Sequence, residues 1–303
     1  MAKLRITSNG DPHPALAGNN LVDEISEREF TDDFTIKDQS HDFNIQYRAG
    51  TNTSEPENIN PTLPIGITTN GVVIYSSAFS DSSLPSSTKI APNGYNWDMG
   101  FSQFSSAIFP LDPCGGKSDD VEGEYRYRTG KFHTLAMAST GFLESSTYYS
   151  ATDAFGTSAL DRLRHGTLTH NAIDYTTGHS RIIGYALDGY PIYGPFGFRN
   201  PLDPTTPVDR MRSSYRLKTI AETADDRPAF FDTSNGSFVQ DYIFDSGQAS
   251  NTGLDSHNGR YCITPDYKQG TYAYFVTFSD TQLTNAEYPY IIGPSTREQR
   301  VLL

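Results

Sequence analysis

The run Gly178-His179-Ser180-Arg181-Ile182-Ile183-Gly184-Tyr185-Ala186-Leu187-Asp188-Gly189-Tyr190-Pro191-Ile192-Tyr193-Gly194-Pro195-Phe196-Gly197 leaves its chain few ways to fold. Arg181 to Leu187 is a near-continuous apolar run of the length of a buried strand. Asp188-Gly189 turns the chain, and Tyr190-Pro191-Ile192-Tyr193 begins a second extended piece. So tight a corner between two buried segments makes a rigid hairpin on which loops can be hung. His179 and Asp188 stand at its ends, and spacing alone leaves two readings open: they line a site, or they cap the hairpin.

The rest of the composition agrees with a hairpin-built protein. Tyr and Phe are abundant beside 25 Gly and 18 Pro, with much Ser, Thr and Asn, which suits short strands joined by turns and suits helices badly. The expected class is mainly β: short antiparallel strands and long loops, sandwich-like, with one or two short helices. Ser158 to Arg164, with Thr157 or Ser158 as cap, is the best helix. At 303 residues, one large domain or two smaller ones are both permitted. A net charge of −13 argues against nucleic-acid backbones and anionic membranes as partners, because both attract a positive field. No window approaches the roughly 18–20 apolar residues of a membrane span, and Met1 to Gly10 lacks the apolar core of an export signal. The expectation is a soluble chain without membrane insertion or a conventional signal. Cys114 and Cys262 are too few for a disulfide scaffold, and either two buried thiols or one bridge is allowed.

Along the chain, residues 1–42 read as an N-terminal arm. Phe30, Phe34 and Ile36 dock while the acids around them stay in water, either on a neighbouring subunit or along the edge of the same domain. His13 and His41 are expected to be exposed. Phe43 to Tyr47 alternates as a strand, and Ile65 to Phe79 reads as a hairpin with its corner at Asn70-Gly71. Two later segments resemble each other. Cys114-Gly115-Gly116-Lys117 leads to Gly123-Glu124-Tyr125-Arg126-Tyr127-Arg128, and His257-Asn258-Gly259-Arg260 leads to Gly270-Thr271-Tyr272-Ala273-Tyr274-Phe275. In each strand the two tyrosines face one side. They are expected to be equivalent strands beside the central hairpin. Phe238 to Phe244 and Tyr288 to Ile292 are further expected strands, and 295–303 is a tail that trails or docks on a partner. No solenoid-type repeat is visible.

The string Gly-His-Ser-x-Ile-Ile-Gly-Tyr-Ala-Leu-Asp-Gly-Tyr-Pro-Ile-Tyr-Gly-Pro is similar to the signature of the YHYH-domain family. Weaker blocks follow in the family's order: Pro64 to Val72, Asp112 to Gly116, Leu254 to Arg260 and Tyr288 to Gly293. The resemblance implies one large domain over 43–294. It also implies imidazoles on the Tyr-His-Tyr-His strand and after Cys-Gly-Gly, a credible place for a transition metal or proton transfer. This chain carries Arg126 and Arg128 on that strand and Lys117 after Cys-Gly-Gly. Protonated cations are not ordinary metal ligands. Their expected partners are the carboxylates of Asp119, Asp120, Glu122, Glu124, Asp188 and Asp255, with Asp188 and Asp255 close in space.

The candidate binding residues are therefore Lys117, Arg126, Arg128, His179, Asp188, Asp255 and His257, with no catalytic set, metal or cofactor expected. His165, His170 and His179 have no zinc spacing, and no Gly-x-Ser-x-Gly elbow or phosphate-binding loop is present. Proteins resembling this family also occur in virions of tailed phages, notably of marine cyanobacteria. The first reading is thus a non-enzymatic structural or attachment component of a phage virion, in a tail, a baseplate or a capsid surface. Its partners would be other virion proteins or copies of itself, and a host-surface glycan is a further option. Two alternatives stay open: a metal-dependent or hydrolytic enzyme using His179, Asp188, Asp255 and His257, and a glycan- or protein-binding module built around Trp97 and Tyr190.

Overall fold

The structure is a computed structural model. It describes residues 3–10, 37–46, 55–61, 63–69, 71–79, 99–100, 116–118, 123–128, 179–222, 236, 238–248, 251–279 and 286–300. In chain order the strands are β1 (Lys3–Ser8), β2 (His41–Gln46), β3 (Glu57–Asn58), β4 (Pro64–Thr68), β5 (Val73–Tyr75), β6 (Ala78–Phe79) and β7 (Met99–Gly100). Then come β8 (Gly116–Ser118), β9 (Tyr125–Tyr127), β10 (Ile182–Ala186), β11 (Pro191–Tyr193), β12 (Phe196–Phe198) and β13 (Val208–Arg210). The series closes with β14 (Tyr215–Leu217), β15 (Tyr242–Phe244), β16 (Gly259–Cys262), β17 (Thr271–Phe275) and β18 (Ser295–Thr296). The protein is mainly β, as the composition predicts. Helical structure among the described residues is confined to the 3-10 turns Ile220–Glu222, Val239–Asp241 and Ser246–Gln248. The helix expected at 158–164 lies outside the described residues.

One mixed sheet organises the molecule, in the order β16-β17-β11-β10-β4-β5-β9-β8. That order is a palindrome of two copies of one unit, a hairpin flanked by a second hairpin laid parallel to its outer strand. Both inner hairpins, β4–β5 and β10–β11, turn where the sequence predicts. Gly71 N donates to Thr68 O and Gly189 N to Ala186 O, and both glycines hold positive φ (+88° and +98°). The outer strands join in parallel, β9 to β5 and β17 to β11, so each tyrosine strand flanks its own hairpin rather than sharing the central one. Ile74 meets Tyr127 in one copy, and Ile192 meets Tyr274 in the other. The copies meet across β4 and β10, where Tyr185 stands opposite Ile67, flanked by Gly184–Thr68 and Ala186–Gly66. A Cβ on Gly184 would lie 2.7 Å from Ile67 O, and one on Gly66 would lie 2.9 Å from Tyr185 O. This close approach requires glycine on both sides.

The repeat is written as Ile-Gly-x-x-x-Asn/Asp-Gly-x-x-Ile-Tyr at 65–75 and 183–193, a pattern without solenoid period that is easily passed over. Detailed geometry repeats as well. The Tyr125–Tyr127 and Tyr272–Tyr274 rings sit edge to face at 5.4 and 5.3 Å, both at 84°.

Alternation divides the sheet into two faces. The first buries Ile65, Val72, Ile74, Tyr125, Tyr127, Tyr190, Ile192, Tyr272 and Tyr274 in one continuous core. Each fully buried Ile contributes roughly 1.5–3 kcal/mol. The second face carries Tyr193, Met211, Leu254, Cys262, Ala273 and Phe275 at one end. At its centre Ile67, Leu187 and Tyr185 pack against Leu4, Ile6, Phe43 and Ile45 of the β1–β2 ribbon. Lys3 to Ser8 pairs with His41 to Gln46 and so docks on the same domain.

Three local expectations are corrected. Tyr288 to Ile292 forms a turn, not a strand, because Pro289 cannot donate to a ladder and Tyr290 holds φ +74°. In Phe238 to Phe244 only the last three residues are strand, since Asp241 accepts from the Gly236 and Phe238 amides and curls the chain into a 3-10 turn. The tail docks on its own chain: β18 pairs with β3, and Arg300 forks onto Glu57 with Nη2 at 2.6 Å from Oε1.

Candidate functional site

The sequence candidates separate into three places. Arg126 of β9 and Arg128, just after it, lie on the second face. Arg126 Nε bonds Glu124, its guanidinium lies 4.3 Å from the Tyr75 ring centroid, and Arg128 lies 5.1 Å from it. Tyr75 donates to Glu124 Oε2 at 3.1 Å. Glu124 is thus the carboxylate that the strand cation meets. His41 joins the cluster at 3.5 Å from Glu124 Oε1, with only 11% of its side chain exposed. The expectation of an exposed His41 fails because β2 is folded against the sheet. Lys117 stands opposite Arg126 in the β8–β9 ladder.

His179 is wholly buried at the other end of the second face. Its ring meets Tyr193, Phe198 and Phe275 at 5.0–6.0 Å, and Nδ1 lies 2.6 Å from Ser180 O. Asp188 is bonded to Tyr274 and His179 packs on Phe275. Successive strand residues face opposite sides, so the two polar ends of the central hairpin lie on opposite faces of the sheet. They cannot act on one substrate together.

Asp188, Asp255 and His257 do come together, around the Tyr272 and Tyr274 phenols of β17. Tyr274 donates to Asp188 Oδ2 at 2.6 Å, and Tyr272 donates to Asp255 Oδ1 and Oδ2 at 2.9 and 3.0 Å. Asp188 Oδ1 also accepts the Tyr190 amide, which caps the hairpin turn. Asp255 accepts the amides of His257 and Gly259 and so shapes the turn into β16. Asp188 thus caps the hairpin through Oδ1 and ties it to β17 through Oδ2. Burial raises the Tyr272 and Tyr274 phenols well above their ordinary range, and the neighbouring carboxylates reinforce it. These phenols stay protonated and act as donors.

The C-terminal segment roofs this cluster. Arg297 N donates to Tyr274 Oη at 2.7 Å, and its guanidinium lies 5.6 Å from the Tyr272 ring centroid. Glu298 is fully buried, accepts from Tyr190 Oη at 2.8 Å, and donates its amide to Asp188 Oδ2 at 3.4 Å. His257 Nδ1 lies 3.1 Å from Ser295 O and 2.9 Å from Ser295 Oγ. A serine beside an imidazole is half of a nucleophile–base pair. The tautomer sets the role of Nδ1: protonated it donates to the Ser295 carbonyl, unprotonated it accepts from the Ser295 hydroxyl. Asp255 reaches the His257 backbone and leaves the ring without an orienting carboxylate from that side.

Arg297, Glu298 and Asn258 are the members that motif spacing misses. Asn258 holds φ +64° and donates through Nδ2 to Phe275 O and Ile291 O, locking the β16 turn under the site. The Asn-Gly pair at 258–259 is the signal that points to it. Among the described residues no group of three or more His, Cys, Asp or Glu side chains is placed to hold a metal ion. Cys262 carries a free thiol, wholly buried and pushed up to about 11 by desolvation.

Compared with models of protein families, the chain matches the one described as YHYH protein over residues 43–287. No curated protein and no solved structure matches it.

Proposed function

The chain belongs to the YHYH family, and from the closure of its tyrosine–carboxylate network we propose that it is a non-enzymatic structural or attachment protein. The observation that carries this reading is where the reactive groups point. Asp188, Asp255, Tyr190, Tyr272, Tyr274 and Glu298 bond one another or nearby backbone, under a roof supplied by the chain's own C-terminal segment. Spent in this way, carboxylates and phenols cross-link a sheet; they do not receive a substrate. The strand cation Arg126 likewise closes on Glu124.

The assembly best suited to such a scaffold is a tailed-phage virion, as part of a tail, a baseplate or a capsid surface, with copies of itself or other virion proteins as partners. Support comes from the chain's acidic, Tyr- and Gly-rich β composition. Mass spectrometry of purified virions tests it: peptides of this chain at structural copy number support the role. Recovery only from the medium of uninfected cells, or turnover of any substrate that disappears in a folded Asp188→Asn variant, overturns it.

A further inference from the structure

We propose that the C-terminal segment 294–300 is an exchangeable strap, and that the socket it fills on its own chain takes the same segment of a second copy when copies assemble. This exchange rests on the structural role proposed above and makes the partner a second copy of the chain.

The strap is held as a peptide ligand is held. Tyr274 Oη accepts the Arg297 amide at 2.7 Å and Asp188 Oδ2 accepts the Glu298 amide at 3.4 Å, so side chains read two successive backbone N–H groups. Tyr190 Oη donates to the fully buried Glu298 carboxylate at 2.8 Å, and the Arg297 guanidinium lies over the Tyr272 ring. Backbone bonds with a side-chain anchor are the elements of extended-peptide recognition. The body of the protein builds the socket by itself. Asp188 bonds the Tyr190 amide and the Tyr274 hydroxyl, and Tyr272 bonds Asp255. A preformed site needs little reordering when its occupant changes.

The strap's attachment permits the change. Tyr290, Ile291 and Ile292 are buried in the main core and Gly293 N donates to His257 O, which anchors the chain up to that residue. Pro294 is exposed. Beyond it, among the described residues, the strap's only ladder is the two-residue pairing of β18 with β3, outside the eight-stranded sheet. Its last hold, Arg300 on Glu57, is partly exposed and contributes little. Exchanging an identical element between copies conserves every one of these contacts. A lone chain offers its own strap to the socket at high effective concentration, and copies held side by side in an assembly offer a second one at a comparable level.

The β18–β3 ladder supplies the readout. Ile59 N donates to Pro294 O, so by alternation the next pair, Ser295 and Asn58, is a non-hydrogen-bonded one, with the close approach that a disulfide needs. Chains carrying Asn58→Cys alone and Ser295→Cys alone, both with Cys114→Ser, are mixed in denaturant, refolded at high protein concentration and oxidised. Only a strap passing between chains brings these two thiols together. Disulfide-linked heterodimers are expected, rising with protein concentration, and far fewer where Leu202→Cys, on an exposed loop, replaces Ser295→Cys. Heterodimers no more abundant than with Leu202→Cys, or absent at every concentration, overturn the proposal. Should either substitution unfold the chain, the adjacent ladder pair Glu57 and Thr296 carries the same test. Purified protein alone is used, so a failure here leaves the virion role standing, and absence from virions leaves the exchange measurable.

Discussion

Tyr274 and Asp188 are 86 residues apart in sequence and 2.6 Å apart in space, both sealed from solvent. The phenol donates to the carboxylate and accepts from the Arg297 amide, so one hydroxyl joins the outer strand, the central turn and the C-terminal segment.

Removing that hydroxyl strands two buried groups. Tyr274→Phe is expected to lose about 2–3 kcal/mol, because the Asp188 carboxylate and the Arg297 N–H lose a shared partner. Tyr272→Phe is expected to lose less, about 1 kcal/mol, since Asp255 keeps the His257 and Gly259 amides. Urea denaturation of both variants checks the order.

Alkaline pH acts on the same tyrosines. Burial pushes Tyr75, Tyr215 and Tyr242 up to about 12 from an ordinary value of 10.0. Between those values the unfolded chain has released phenolic protons that the folded chain retains. The unfolded state therefore binds fewer protons, and stability falls as pH rises through this window. Absorbance of phenolate near 295 nm, followed together with circular dichroism, should show these tyrosines ionising only as the fold is lost. Reversible ionisation of all of them in a folded protein would contradict it.

The tail latch responds to acid. Hydrogen bonds from Arg300 hold the Glu57 carboxyl below its ordinary value of 4.5. A depressed carboxyl contributes stability that is present above pH 4.5 and lost as pH falls through the folded value. The pair is partly exposed, so Arg300→Gln should lose no more than about 1 kcal/mol globally. Hydrogen exchange at the Arg300 amide, which donates to Glu57 Oε2, should quicken much more than exchange in β17.

At the seam between the two copies, Gly184→Ala would put a methyl group 2.7 Å from Ile67 O and 3.1 Å from Thr68 Cα. Both obstacles are backbone, so the strands must separate, at a cost of about 1–3 kcal/mol. Gly247→Ala, where the nearest atom is the Asp245 side chain at 3.1 Å, is the control and should fall within about 0.5 kcal/mol of the parent. A drop in thermal midpoint for the second as large as for the first would refute the seam argument.

The site was partly legible in advance. The sequence reading has Asp188 and Asp255 close in space as partners for cations, and it has the two Tyr-x-Tyr strands as equivalents. His179 and Asp188 stand at the two ends of the central hairpin in sequence, yet the strand between them carries them to opposite faces. Glu298 carries no local signal, since nothing local marks a residue whose partners lie over a hundred positions upstream, and Arg297 engages Tyr274 through its backbone amide, which no side-chain pattern reveals.

Turn chemistry and side-chain alternation act over a few residues, so the sequence alone determined the β class, the corners at Asn70-Gly71 and Asp188-Gly189 and the inward-facing tyrosine pairs. Which phenol meets which carboxylate was decided by the tertiary structure. So was the docking of the tail on its own chain. Those outcomes depend on strand order and on the seam between β4 and β10, which bring together groups from distant parts of the chain and oblige buried polar atoms to find partners there.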